Sequence, residues 1–93
     1  MEAKIHAKNP DKTKHGVKIS KAKYDLIRDE IIALLRANGE MPAMDLYPVL
    51  NHKLSGRFDG SVSWYVATVK LDLEARKIIE RVPKSKPQHI RLK

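Results

Sequence analysis

The stretch GSVSWYVATVKLDLEARKIIERV, from Gly60 to Val82, joins a helical pattern directly to a strand pattern. Its apolar residues recur at the spacing of a helix face that packs on a core; they are Val62, Val66, Val69 and Leu73. After Ala75 the pattern changes to the β-rich run Ile78–Val82, which predicts a strand. A helix followed at once by a strand is therefore the feature around which the other elements are placed.

The opposite side of this predicted helix carries no charged residue. We call it the outer face, and at about 100° per residue it consists of Gly60, Trp64, Ala67, Thr68, Leu71 and Ala75. Either Asp59 or Ser61 can cap the start of the helix, because a short side-chain oxygen there accepts a free amide N–H. An uncharged helix face with a tryptophan and a leucine raises the question of what covers it.

The segment LEARKIIERV, Leu73–Val82, resembles the end of the third helix and the first wing strand of winged-helix domains, which often read Leu-Glu-x-x-Gly-Leu-Ile-x-Arg. The order of elements extends the resemblance from about Ser20 to Leu92. It implies an α+β winged helix: a three-helix core, a short edge strand and a C-terminal β-hairpin called the wing. Lys77 replaces the usual glycine, so we expect it either to accept a modestly strained backbone or to end the helix differently.

Two further helices and a short strand are predicted upstream. Ser20 is a suitable N-cap for a first helix that stops at Asn38-Gly39, with an apolar stripe of Tyr24, Ile27, Ile31, Leu34 and Leu35. Glu40–Pro42 fits a short edge strand, where proline removes no required hydrogen bond. A second helix should begin near Met44, because Pro48 is tolerated only in about the first turn. Its buried stripe is Leu46, Leu50 and Leu54, and Phe58 in the following linker is predicted to plug the core.

The two ends of the chain are basic. Residues 1–15 lack periodicity, and we expect them to form a basic, mobile or loosely docked arm, with the winged-helix domain at 16–93. In the next segment Val17 and Ile19 would share one face of a short strand, and the outer face is one surface they could cover. At the other end, the loop Pro83–Pro87 would be the wing, which in that family commonly touches DNA backbone or minor groove; an ordinary polar hairpin tip is the alternative.

The composition is that of one small globular domain. The 93 residues carry a net charge of +8, concentrated in residues 1–23 and 76–93, while the middle is neutral to acidic. Such ends attract polyanions through phosphate neutralisation, although simple solvation of the lysines is an equal alternative. Without cysteine, disulfides and thiolate metal sites are excluded. No apolar run approaches a membrane span, so we expect a soluble, cytoplasmic protein.

Catalysis finds little support in the sequence. The four histidines are scattered without metal-ligand spacing, and no glycine-rich phosphate loop is present. Asp72 and Glu74 lie on different sides of a helix, so they do not form a catalytic carboxylate pair. We therefore predict no enzymatic activity, no metal, no cofactor and no small-molecule ligand.

The leading hypothesis is a DNA-binding, transcription-regulatory role with mainly phosphate contacts and weak base readout. The candidate DNA-binding residues are Lys53, Arg57, Ser61, Ser63, Trp64, Thr68, Lys84 and Lys86. The outer face lacks the Arg, Asn, Gln or Lys side chains that usually read bases. The alternative is therefore a protein-contact or homodimerisation module without DNA binding, in which the outer face contacts a partner through Trp64, Ala67 and Leu71.

Overall fold

The described part of the chain, residues 3–11 and 13–93 of a computed structural model, contains three α-helices and two small antiparallel sheets. This confirms the α+β class. In chain order the elements are β1 (Lys4–Ala7), β2 (Val17–Ser20), α1 (Lys21–Asn38), β3 (Glu40–Pro42), a 3₁₀ turn (Ala43–Asp45), α2 (Leu46–Lys53), α3 (Val62–Ala75), β4 (Ile79–Arg81) and β5 (His89–Leu92). None of the described helices combines the length and apolar character needed to cross a bilayer.

The C-terminal sheet has the strand order β3-β5-β4, so the last strand of the chain is its centre. Met41 of β3 lies opposite Ile90, and Ile79 of β4 lies opposite Leu92. The strand predicted at Glu40–Pro42 is therefore present at a sheet edge, where proline leaves no ladder bond missing. This pairing brings the end of the chain back to the segment between α1 and α2.

The core is built from the stripes that the periodicity predicted. The α3 residues Val66, Val69 and Leu73 are fully buried, and Val62 is nearly so. On α1, the buried positions are Tyr24, Ile27, Ile31 and Leu35, while Leu34 is half-buried against the core. Burial of these apolar side chains is the main stabilising contribution to the fold. Phe58, predicted to plug the core, packs against it while remaining partly exposed, and its ring also meets Tyr65 edge-to-face.

Ser61 caps α3, which resolves the choice between two candidate caps. Its side-chain oxygen accepts a hydrogen bond from the Trp64 amide at 3.1 Å. Asp59 instead lies 3.8 Å from the ammonium of Lys23. At the start of α1, Ser20 caps the helix in the same way by accepting from the Lys23 amide. Both helix starts therefore follow from a serine immediately before the apolar stripe.

Lys77 ends α3 in the left-handed conformation. Of the two outcomes expected for this residue, the strained backbone is the one observed. This residue has φ 63°, and its amide donates to the Glu74 carbonyl at 3.0 Å. The next amide, of Ile78, donates to the Leu73 carbonyl at 2.9 Å. These two bonds define a Schellman motif, in which the left-handed position usually belongs to glycine. A lysine there carries a backbone strain that glycine would not.

The predicted boundary between a mobile arm (residues 1–15) and the folded domain (16–93) needs a correction. Lys4–Ala7 is a strand, paired with Val17–Ser20 from Lys4 opposite Ser20 to Ala7 opposite Val17. We call β1, β2 and the connecting residues 8–11 and 13–16 the N-terminal hairpin. Gly16 permits its closure, because a Cβ at that position would lie 1.9 Å from the Ala7 carbonyl oxygen. Ala7 and Ile19 are buried, so residues 4–7 belong to the folded domain.

Replacing Lys77 with glycine should stabilise the protein. The substitution removes the left-handed strain, partly offset by the greater freedom of glycine in the unfolded chain, for a net gain of up to about 1 kcal/mol. Lys77→Ala is the matched control, because alanine loses the side chain and keeps the strain. Urea unfolding followed by circular dichroism measures both; equal midpoints for the two variants would contradict a strained helix end.

Candidate nucleic-acid interface

The predicted DNA-binding residues lie on three separate parts of the structure. Lys53 is the last residue of α2 and Arg57 lies in the loop after it, whereas Ser61, Ser63 and Trp64 lie at the start of α3. Thr68 lies further along α3, beside the N-terminal hairpin. Lys84 and Lys86 lie in the loop between β4 and β5, which we call the wing loop (Pro83–Pro87). The α3 residues share one helix, whereas the cations come from the elements before and after it.

The two serines at the start of α3 are already engaged within the protein. Ser61 is the helix cap, and the Ser63 hydroxyl accepts a hydrogen bond from the Asn51 side-chain amide at 2.9 Å. The same amide donates to the Tyr47 carbonyl at 2.8 Å. Asn51 therefore ties α2 to α3, a role that its sequence position did not reveal. Each hydroxyl therefore keeps its hydrogen and one lone pair for a base, with its orientation restricted by the bond it already accepts.

Trp64 is 47% exposed and is held in a row of aromatic rings. Its ring meets Tyr65 edge-to-face at 5.0 Å, and Tyr65 meets Phe58 in the same manner at 5.1 Å. The Lys23 ammonium lies 5.4 Å from the centre of the Tyr65 ring. Edge-to-face and cation–π contacts of this kind fix ring orientation. The tryptophan is therefore a supported aromatic surface, open to solvent on the remaining side.

The second half of the outer face is partly covered by the N-terminal hairpin. Thr68 and Leu71 are half-buried and line a cleft of about 170 Å³ together with hairpin residues that include Lys8 and Val17. Of the two residues expected to cover this face, Val17 lines the cleft but remains 41% exposed, whereas Ile19 is buried in the core. Consequently the outer face is divided, with its first turn open and its later turns beside the hairpin.

A buried carboxylate holds the hairpin in this place. Asp72 is fully buried; one of its oxygens accepts the Lys8 amide at 2.7 Å, and both accept from the Arg76 guanidinium at 2.8 to 2.9 Å. The Tyr24 hydroxyl of α1 also donates to it. Arg76 further donates to the His6 carbonyl at 3.3 Å, so the ion pair itself is tied to β1. Burial, and then the bond to Asp72, raises the pKa of Tyr24 to about 12.

A second ion cluster attaches the C-terminal sheet to α3. The half-buried Glu74 carboxylate accepts from Lys70 at 3.2 Å and from the Arg81 guanidinium at 3.2 and 3.3 Å. Burial and the charge of Glu74 also raise the pKa of Tyr47, which lines a cleft of about 270 Å³ beside this cluster. These bonds orient β4, and through it the wing loop, relative to α3.

The wing loop is held in shape by Ser85. Its hydroxyl donates to the Val82 carbonyl at 2.7 Å and accepts the His89 amide at 2.8 Å and the Gln88 side chain at 3.2 Å. Lys84 adopts φ 62°, and both loop lysines are exposed. Neither forms an ion pair with a carboxylate of residues 3–11 or 13–93. A rigid loop with two free ammonium groups suits a polyanion.

The remaining cations differ in availability. Lys53, expected to meet a phosphate, lies 2.8 Å from Glu30, so it would have to exchange one anion for another. Arg57 is exposed and has no carboxylate partner within the described residues. Across that same part of the chain, no three His, Asp or Glu side chains are grouped to hold a metal ion.

Asp72→Asn should destabilise the protein by about 2 kcal/mol or more, because it removes the charge from a buried, multiply hydrogen-bonded site and leaves Arg76 without its counterion. Asp25→Asn makes the same chemical change at a surface ion cluster with Lys21 and Arg28 and should alter stability little. Denaturant unfolding measures both. Equal effects of the two substitutions would contradict the anchoring role of Asp72.

Tyr24 also predicts a loss of stability in alkali. Because its pKa rises from an ordinary 10 to about 12 on folding, its contribution is complete below pH 10 and disappears as the pH rises toward 12. Tyr24→Phe should lack this contribution, so the gap in stability between wild type and variant should shrink over that interval. Unfolding midpoints from pH 8 to 12 test this; a constant gap would contradict the folded-state shift.

Comparison with known proteins adds a family without adding an activity. No curated protein and no solved structure matches the chain. A family model described as a family of unknown function, DUF6958, matches residues 4–90. The match includes the N-terminal hairpin, all three helices and β4, and it ends within β5. The chain therefore belongs to the DUF6958 family.

Proposed function

We propose that this protein is a winged-helix DNA-binding protein that holds duplex DNA mainly through phosphate contacts. The winged-helix assignment is supported by the order of its elements. From α1 onward, a helix, a short strand, a helix pair and a β-hairpin follow one another, and the short strand β3 pairs with the last strand, β5. In this arrangement α3 is the third helix, and the β4–β5 hairpin is the wing.

The observation that carries the proposal is the state of the wing lysines. Lys84 and Lys86 are exposed on a loop shaped by Ser85 and have no carboxylate partner in the described structure. By contrast, all five acidic side chains of α1 and α3 form ion pairs within the protein; they are Asp25, Asp29, Glu30, Asp72 and Glu74. The ammonium groups of Lys84 and Lys86 are therefore available to phosphates.

The outer face of α3 is poorly placed to enter a major groove, which favours binding through phosphates. Its later turns lie beside the N-terminal hairpin, and the two serines at its start are engaged with the protein. Deep insertion of this face into a major groove would require the hairpin to move. Phosphate contacts from the wing loop and Arg57, with Trp64 touching a sugar or a thymine methyl, need no such change.

Duplex binding should depend steeply on salt. Each phosphate neutralised contributes about 0.9 to the slope of log affinity against log salt concentration. Lys84→Ala/Lys86→Ala should weaken binding to random duplex DNA and reduce this slope by about 1 to 2. Fluorescence anisotropy of a labelled duplex between 50 and 200 mM salt, roughly the range over which such contacts act, measures both effects.

The control for this experiment is Arg36→Ala, compared with Lys84→Ala alone. Arg36 is exposed in the last turn of α1 and, within the described chain, has no carboxylate partner, so its loss removes the same charge at a different place. If wing contact is the source of affinity, Lys84→Ala should weaken binding more. Equal losses would indicate nonspecific attraction to net charge, and a salt-independent interaction would contradict phosphate binding.

The alternative is a protein-contact or homodimerisation module with the same fold. It is favoured by the exposure of two large apolar side chains on the hairpin side, Trp64 and Val17. Of the other residues predicted for this contact, Ala67 and Leu71 are half-buried. Sedimentation velocity of wild type and Trp64→Ala distinguishes the two functions, because only the alternative predicts a self-association that the substitution abolishes.

A further inference from the structure

We propose that the cleft between the N-terminal hairpin and α3 binds single-stranded nucleic acid, with one unpaired base stacked on Trp64 and the strand's phosphates on hairpin lysines. This inference depends on the proposed function, which supplies the class of ligand. It adds a preference for an unpaired strand at a cleft that shares only Trp64 with the proposed duplex contacts. The wing loop serves the duplex in that proposal, whereas this cleft lies on the hairpin side of α3.

One end of the cleft provides an apolar surface for a base. Trp64 is 47% exposed, and Val17 and Leu71 line the same cleft of about 170 Å³. The tryptophan ring is supported edge-on by Tyr65, which in turn is held by Phe58 and Lys23. A ring fixed in this manner loses little conformational freedom when a base stacks on it.

The other end provides positive charge. Lys8, Asn9, His15 and Gly16 line both this cleft and a neighbouring one of about 370 Å³, so the two clefts are continuous along the hairpin. Lys14 and His6 line the second cleft. Among the described residues, neither cleft is lined by an Asp or a Glu. The nearest acid in the loop, Asp11, is bonded through its side chain to Thr13.

The cleft walls are fixed before any ligand arrives. The Lys8 amide is bonded to the buried carboxylate of Asp72, and Arg76 holds the His6 carbonyl. Within the same hairpin, the absence of a side chain at Gly16 allows the backbone to close on Ala7. The lysine side chains are exposed while their backbone is anchored, an arrangement that directs charge toward a ligand at a small entropic cost.

The combination of charge and ring selects an unpaired strand. In a duplex each base is stacked and paired, so its face cannot reach a tryptophan unless the base leaves the helix. A single strand offers free base faces, and proteins that bind it combine a basic groove with aromatic stacking surfaces. An acidic peptide would satisfy the lysines but would leave the ring without a stacking partner.

The test uses the single tryptophan of the full-length chain as its own reporter. An oligothymidylate should quench the Trp64 fluorescence, with affinity that falls as salt rises. By anisotropy of a labelled oligothymidylate, Trp64→Ala should bind about tenfold more weakly, and Trp64→Phe should recover part of the loss because it restores a flat ring. Lys8→Ala/Lys14→Ala should reduce the salt slope by about 1, whereas Arg36→Ala should leave binding nearly unchanged.

Parallel titrations with duplex DNA and with a polyglutamate peptide separate the outcomes. Duplex binding without single-strand binding would overturn this inference and leave the proposed function standing. Failure of both nucleic acids would overturn both. Quenching by polyglutamate as strong as by oligothymidylate would overturn the inference in favour of an acidic protein partner, and so would single-strand binding that Trp64→Ala does not weaken. Circular dichroism confirms that each variant is folded.

Discussion

The buried carboxylate of Asp72 is the constraint on which the arrangement of this protein depends. It lies on α3, accepts from Tyr24 of α1, and holds the Lys8 amide at the end of β1. A charge removed from water is costly unless it is paired and fully hydrogen-bonded, and Arg76 completes the set. Because the partners come from three elements, the carboxylate fixes the N-terminal hairpin on the helix that would otherwise present its whole outer face to solvent.

This anchoring leaves the exposed lysines of the protein in two places, the wing loop and the N-terminal hairpin. The wing loop, oriented by the Glu74 cluster and by Ser85, offers exposed lysines on the side of the C-terminal sheet. The N-terminal hairpin offers lysines beside the exposed ring of Trp64. Between them, the outer face of α3 contributes little base-reading chemistry. The proposed phosphate contacts of the wing and the proposed stacking on Trp64 both rest on this placement of charge.

Much of the fold could be predicted because it is encoded locally. The apolar stripes of α1 and α3, the serine caps and the strand at Glu40–Pro42 depend on residues a few positions apart. The contacts that could not be predicted are long-range. Asp72 meets Tyr24 and Lys8 across 48 and 64 residues, so no local sequence pattern marks Asp72 as an anchor. The strand Lys4–Ala7 was missed for the same reason, because four residues with one large apolar side chain become a strand only beside Val17–Ser20. The candidate interface was predicted by residue type, but not the engagement of Ser63 and Lys53 by neighbouring side chains.

The most direct test of this account is an amide chemical-shift titration of the full-length protein with random duplex DNA. If the Asp72-anchored hairpin stays on α3 while phosphates contact the wing, the largest shifts should fall on residues 84–86 and on Arg57. The Lys8 amide, bonded to Asp72, should keep its resonance position. The largest shifts at Thr68 and Leu71, together with displacement of the Lys8 resonance, would show that the hairpin leaves and the helix face enters the groove, and would contradict the account.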